Sequence, residues 1–301
     1  MAGKILVVGS LHLDVIVHSS RLPKPDETLL GDNVSYRFGG KGGNQAVAAA
    51  KIDVQVFMAG RIGTDNFGKQ IYDTLSNQNI NLDGLKMVDE ATGMSVALIG
   101  SDGIYCAVVV SGANQTIDLS EIAVPDDLTV LVLQNEINTD ANFEIIKKVP
   151  KSTFIILNAA PALTPNKDFF ERIDLLIVNQ LEAKMLLNEE PSIFNNLDAL
   201  RKLQNLGPKE VIITLGADGY TGISKNGEIF SEPGIKVDVL STHGAGDSFV
   251  GTLAAFICKG EPINIAAQYA QASSALHVKT PIDQREKILQ SDIENMFSLN
   301  Q

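Results

Sequence analysis

The sequence predicts a doubly wound α/β fold: a mainly parallel central sheet flanked by helices, with a small β-sheet lid. Three observations carry this expectation. Short apolar runs at residues 4–9, 54–60, 130–133, 154–157, 175–178 and 211–214 alternate with helix-like segments such as 142–148 and 197–206, the pattern of parallel strands buried on both faces. Two glycine turns, one around residues 39–45 and one around 244–247, each lead into a helix-like run. Two alternating runs, 94–99 and 105–110, flank Ser101-Asp102-Gly103 with no helix between them, which is the signature of a hairpin.

Composition narrows the function classes. The chain has 301 residues, 45% hydrophobic and 20% charged, enough to bury a large core. Thirty-six acids against 24 bases give a net charge of −12, which argues against nonspecific nucleic-acid or anionic-membrane binding. Cys106 and Cys258 lack metal-like spacing and lie in apolar runs, so both are expected to be reduced core thiols. The first apolar run meets Gly9, His12 and Asp14 too early for a signal-peptide core, and no segment is long enough to span a bilayer. The expected compartment is the cytoplasm. Without repeats or linkers, the expectation is a single domain over 1–301, with lid segments at about 11–38 and 92–111.

In chain order, residues 4–9 read as a buried strand and 11–17 as an alternating one interrupted by Asp14. A buried acid needs a partner, so Asp14 either bonds local backbone or faces a cleft that a polyhydroxylated ligand could enter. A proline-broken connection at 21–27 leads to Gly39-Gly40-Lys41-Gly42-Gly43-Asn44-Gln45 and the small-residue run 46–50. This reads either as a turn displaying Lys41 and Asn44 at a helix mouth or as a flexible lid hinge. Residues 54–60 then lead into Gly63-Thr64-Asp65-Asn66-Phe67-Gly68-Lys69-Gln70, which nearly matches a P-loop. Gln70 stands where a magnesium-binding hydroxyl is required and Asp65 would put negative charge in the cradle, so the match is a decoy.

The hairpin is expected to form the lid together with strands at 11–17 and 28–36. Beyond it, polar residues follow successive core strands: Gln134-Asn135-Glu136, Asn158, Asn179 with Glu182, and Thr214 with Gly216. Ligands of open α/β sheets bind at such strand ends. After Gly216-Ala217-Asp218-Gly219, runs at 220–224 and 228–230 around Lys225-Asn226-Gly227 read as an antiparallel edge. Residues 234–240 alternate like a strand feeding the second glycine turn, and helices are expected after that turn, at 263–277 and near 284–297. A helix start leaves unpaired amides at the positive end of its dipole, where anionic oxygens bind. Asp247 beside such a turn is either a general base or an ordinary first-turn acid.

The segments Gly39-Gly40-Lys41-Gly42-Gly43-Asn44-Gln45-Ala46 and Gly244-Ala245-Gly246-Asp247-Ser248-Phe249 together resemble the two signatures of the ribokinase-like (PfkB) carbohydrate kinase family. The likeness runs from Gly9-Ser10 through Asn179-Gln180-Leu181-Glu182 and Thr214-Leu215-Gly216. It implies transfer of the γ-phosphate of ATP to a sugar hydroxyl, with magnesium. By position, Asp247 resembles the base, and Gly244, Ala245 and Gly246 the anion hole. His12, Asp14, Gly40, Lys41, Asn44 and Glu136 match sugar-side positions. Asn179 and Glu182 match the pair that organises magnesium and phosphates, Glu182 acting indirectly, while Thr214, Gly216, Gly219 and Gln271 match the nucleotide pocket.

Departures from the family pattern qualify this. Ser241 stands where ribokinases usually carry Asp, and Lys279-Thr280-Pro281-Ile282-Asp283 lacks the usual Gly. Both segments supply a monovalent-cation site in many members, so a potassium requirement stays open. His12 replaces the common Asn and brings different hydrogen-bond directions. A nucleoside kinase and a non-catalytic sugar-binding regulator remain alternatives. The sequence does not reveal the oligomeric state; an exposed lid sheet, as in relatives that dimerise through it, would offer edges for a homodimer.

Overall fold

The computed structural model describes residues 3–101, 104–164, 166–189 and 195–300. The first half holds β1 (Lys4–Val8), β2 (His12–Ser19), β3 (Gly31–Gly39), α1 (Lys41–Ala50), β4 (Gln55–Gly63), α2 (Asn66–Ser76), β5 (Ile80–Val88), β6 (Met94–Gly100) and β7 (Tyr105–Val110). Next come β8 (Leu128–Gln134), α3 (Thr139–Lys148), β9 (Phe154–Asn158), α4 (Lys167–Phe170), β10 (Leu175–Asn179), α5 (Gln180–Leu187) and α6 (Asn196–Gln204). The chain ends with β11 (Glu210–Thr214), β12 (Tyr220–Ile223), β13 (Ile229–Glu232), α7 (Ala245–Cys258), α8 (Ile263–Lys279) and α9 (Gln290–Ser298).

Nine strands form the main sheet in the order β13-β12-β11-β10-β9-β8-β1-β4-β5. Every pairing from β11 to β5 is parallel, and only β12 and β13 run antiparallel at the edge. Side-chain alternation divides the interior into two layers. Ile5, Val7, Val130 and Val132 join one core with α1, α7 and α8. Leu6, Val8, Leu131 and Leu133 face the other, with α3, α5 and α6. The lid is a separate sheet, β3-β2-β6-β7, in which β2 runs parallel to β6. Of the expected hairpin turn, Asp102 and Gly103 lie outside the described residues.

Small residues bring the two glycine-turn helices together. A Cβ on Gly251 of α7 would stand 2.2 Å from the Gln45 carbonyl of α1, so only glycine lets the backbones approach this closely. The N-termini of α1 and α7 thereby open side by side, and the four glycines at 39, 40, 42 and 43 lie where an added Cβ would meet Asp14, Ser10 to His12, Gly9 and Phe38.

Several expectations are corrected. Residues 234–240 form no strand: Leu240 and Ser241 instead donate to the Val278 carbonyl. Strand β5 completes the opposite edge, although its sequence, INLDGLKMV, lacks a strong apolar pattern. Cys106 is exposed on the lid and only Cys258 is a core thiol. The last helix starts at Gln290, after a 3-10 turn at Ile282–Lys287. The P-loop look-alike is the start of α2. Asp65 caps it by accepting from the Gly68 amide at 2.8 Å, and it also accepts from the amide and hydroxyl of Thr92.

Candidate active site

Helix α7 begins where Gly244 adopts φ 75°, ψ 5°, a left-handed conformation that penalises a side chain. A Cβ at Gly244 would also lie 3.1 Å from Nε2 of His277. No side chain caps the helix, so first-turn amides have no intrahelical partner and lie at the positive end of the dipole. The Ala245 amide is already used, donating to the Thr242 carbonyl at 3.1 Å. The Gly246 and Asp247 amides are thus the ones left for an anion, and a Cβ on Gly246 would meet open space.

Asp247, third in the helix, is buried. Its Oδ2 accepts from Asn44 Nδ2 at 3.1 Å and its Oδ1 from Gln45 Nε2 at 3.0 Å. Gln45 Nε2 also donates to Asn158 Oδ1 at 3.1 Å, while Gln134 Nε2 donates to Gln45 Oε1 at 2.7 Å. A buried amide network therefore reaches from the sheet to the carboxyl. Desolvation pushes Asp247 above the usual carboxylate range; Lys41 and the bonds from Gln45 and Asn44 oppose the rise, and Glu136 adds to it. Such a carboxyl is a better proton acceptor than an exposed aspartate.

Lys41 opens α1 after Gly40, which has φ 90°. Its amide donates to Glu136 Oε2 at 3.0 Å, its Nζ lies 3.9 Å from Oε1, and the Ser10 hydroxyl donates to the same Oε2. Burial alone would lower the Lys41 ammonium, but Asp247, Glu136, Glu182 and Asp14 together raise it. Asp14, buried on β2, has its Oδ2 3.2 Å from Nε2 of His243. Burial would raise its carboxyl; bonds from His243 and Ser95 hold it below the usual range. His12, also buried on β2, leaves Nε2 without a partner, and burial lowers its pKa against the pull of Glu136 and Asp14. His12, Lys41, Glu136 and Glu182 border a cavity of about 450 Å³ beyond the carboxyl ends of β8, β9 and β10.

Asn179 and Glu182 form the capping box of α5: the Glu182 amide donates to Asn179 Oδ1 at 2.9 Å and the Asn179 amide to Glu182 Oε2 at 2.8 Å. Burial raises Glu182, against the Asn179 bonds and Lys41, and Asp247 raises it further. Two acids held above their ordinary range beside one ammonium mark a place short of positive charge. Among the described residues no group of three or more His, Cys, Asp or Glu could hold a metal ion directly.

Thr214 ends β11, with Oγ1 3.4 Å from the Val178 carbonyl, and Gly216 follows at φ 62° with open space where a Cβ would stand. Gly219 closes the turn against the Glu232 carbonyl. Gln271 of α8 donates to the Pro233 carbonyl, leaves Oε1 buried without a partner, and borders a separate cavity of about 630 Å³ with 233–236. Thr214, Gly216 and Gly219 do not line that cavity. The structure thus gathers His12, Asp14, Gly40, Lys41, Asn44, Glu136, Glu182 and Asp247, while Gln271 meets the turn after Thr214 through residues 233–234, which pack against Ala217 and Gly219. Sequence reasoning missed Ser10, the link through Gln45, and the reach of His243 to Asp14. The signal for Gln45 was available, as a long uncharged polar side chain inside a helix rich in glycine and alanine.

The model of the pfkB family carbohydrate kinases matches residues 2–287. The ribokinase of Schizosaccharomyces pombe is 32% identical over 292 residues, covering 91% of this chain and 92% of that protein. The deoxyribokinase of Salmonella typhi is 28% identical, covering 91% and 92%. The solved structure of Arabidopsis thaliana ribokinase complexed with ribose and ATP superposes with a TM-score of 0.88 at 28% identity, covering 99% of each chain. With the matched model spanning nearly its whole length, the chain belongs to the pfkB family of carbohydrate kinases.

Proposed function

We infer that this protein transfers the γ-phosphoryl group of ATP to a hydroxyl of a small sugar. The observation that carries the reading is Asp247: a buried carboxyl, raised by desolvation, at the uncapped start of α7 and bonded to Asn44 and Gln45. Asp247 accepts the proton of the attacking hydroxyl. The amides of the Gly244 to Asp247 turn stabilise the charge that builds on the phosphoryl oxygens, with Ala245 shaping the turn because its own amide is engaged. Asp14, Gly40, Asn44 and Glu136 orient the sugar, and Lys41 balances the acids. Asn179, Thr214, Gly216, Gly219 and Gln271 are assigned to the nucleotide side. Magnesium carried by ATP would be held through water by Glu182 and supplies counter-charge to the phosphates.

His12 leaves the choice of sugar open, since its partnerless Nε2 brings hydrogen-bond directions to the sugar end that differ from those of the Asn common in ribokinases. A nucleoside kinase is the second reading, because the cavity at His12 is bordered by exposed lid residues such as Val109 that could cover a larger ligand. Exposed Val108, Val110 and Tyr36 on the lid support a homodimer through that sheet. Among the described residues no helix is long and apolar enough to cross a membrane.

The test is coupled ADP release against pentoses, hexoses, deoxysugars and nucleosides. Turnover on one or more free sugars is expected. Turnover on nucleosides alone transfers the assignment to the second reading, and none at all would leave a sugar-binding regulator.

A further inference from the structure

Arg285, in the turn between α8 and α9, is only 7% exposed. Its Nη2 donates to the Ser241 carbonyl at 2.8 Å, its Nη1 to the His243 carbonyl at 2.8 Å and its Nε to the Thr280 carbonyl at 3.2 Å. Nη1 also lies 2.8 Å from Nε2 of His277. No carboxylate is among these partners. A buried cation ordinarily needs a counter-charge, and here backbone carbonyls and an imidazole take that place. Lys51 Nζ donates to the Arg285 carbonyl at 2.8 Å and holds the turn in position.

Two of the three carbonyls belong to the segment entering α7. A peptide unit is planar, with its C=O and N–H pointing in opposite directions. Fixing the His243 carbonyl therefore fixes the Gly244 amide, and with it the left-handed turn that aims the first amides of α7. The sequence likeness points to a monovalent-cation site at Ser241 and residues 279–283. The residues present do not fit one: Ser241 supplies no carboxylate, and the carbonyls of Ser241, His243 and Thr280 are engaged by the guanidinium.

We propose that Arg285 is a positioning residue whose guanidinium serves as a built-in cation, holding the anion-binding turn ahead of Asp247 so that turnover needs no monovalent metal ion. A planar fork of donors matches several carbonyls at once, which a lysine ammonium cannot reproduce. The inference rests on the kinase reading, since it assigns the turn a role in phosphoryl transfer.

The experiment measures turnover with tetramethylammonium as the sole monovalent cation, with and without potassium chloride, for the wild type, Arg285→Ala and Arg285→Lys. The wild type should change less than twofold on adding potassium. Arg285→Ala should lose about a hundredfold in kcat, the scale expected when a reacting group is misplaced, with both KM values little changed. Guanidinium or potassium ions should restore part of the loss, and Arg285→Lys should fall between. Potassium titration by calorimetry adds a reading independent of activity: no saturable heat for the wild type, saturable heat for Arg285→Ala. Potassium stimulation or saturable potassium binding in the wild type overturns the proposal, as does an Arg285→Ala variant with normal kcat or with a loss that neither ion relieves. Should Arg285→Ala fail to fold, the two wild-type measurements decide. A wild type inactive on every sugar defeats the kinase reading instead, and calorimetry still reports on Arg285.

Discussion

Replacing Gln45 by Met keeps the length and apolar stem of the side chain but removes both ends of its hydrogen bonding. In the native protein Gln45 donates to Asp247 at 3.0 Å and to Asn158 at 3.1 Å, and accepts from Gln134 at 2.7 Å, all with Gln45 fully buried. A bond to a charged acceptor contributes about 1.5–3 kcal/mol. Because this one favours the ionised carboxylate, its loss raises Asp247 further and leaves less of the base form at a given pH. At about 1.4 kcal/mol per factor of ten, kcat/KM on the acid limb should fall about 10–100-fold, and the deficit should shrink as pH rises. Stability should follow the opposite trend. The orphaned Gln134 and Asn158 groups cost about 1–3 kcal/mol each. To this is added a term that grows as pH climbs above the point where Asp247 ionises in the native wild type, because the variant must then carry a charge with one bond fewer. The assays are kcat/KM from pH 5 to 9 by coupled ADP release and urea unfolding at both ends of that range. A loss of activity that is uniform in pH would refute the reasoning, because it would show that Gln45 supports packing and not ionisation.

Three further outcomes are expected. Asp247→Asn should lower kcat by about 10²–10⁴, the range for a lost general base, while ATP affinity by calorimetry stays near wild type; near-normal turnover would remove Asp247 from its role. His277 is pushed down to about 4 by burial and by Arg285, so the unfolded chain takes up this proton near pH 6.5 and the native protein only near 4. Stability from urea unfolding should therefore drop by about 3 kcal/mol as pH falls through that window, and His277→Gln should remove that part of the slope; an unchanged slope contradicts the assignment. Gly244→Ala forces a side chain into a left-handed turn at about 1–2 kcal/mol and crowds His277 at 3.1 Å. Both the melting temperature and kcat should fall, and an unchanged kcat would show that the turn need not hold its shape.

The sheet was legible because parallel strands buried on both faces are written as continuous apolar runs, as at Ile5 to Val8 and Val130 to Leu133. The same logic misled at 234–240. Its alternation is real, yet the segment bonds the end of α8 through Leu240 and Ser241 instead of a strand, and pairing is a property of the sheet rather than of the segment. β5 failed in the opposite way: it sits at the far edge with half its side chains exposed, so nothing demanded an apolar pattern. In the site, Asp247, Asn44 and Lys41 were visible because glycine turns punctuate the sequence beside them. Arg285 was not. It lies in a short polar turn with no periodicity, and its importance comes from carbonyls more than 40 residues away, whose direction no residue type reveals.

The distribution of charge around α7 explains why so much of the machinery is backbone. In front of the helix, four carboxyls, Asp14, Glu136, Glu182 and Asp247, act on the ammonium of Lys41. A second lysine there would neutralise the acids and lower Asp247, the carboxyl proposed as the base. Positive potential for the incoming phosphates must then come from groups that cannot exchange protons with Asp247 or form an ion pair with it. Unpaired amides at a helix start meet that condition, and so does a guanidinium kept behind the turn, where it touches carbonyls and not carboxylates. The acids can thus stay basic enough to take a proton while the turn beside them stays positive enough to receive a phosphate.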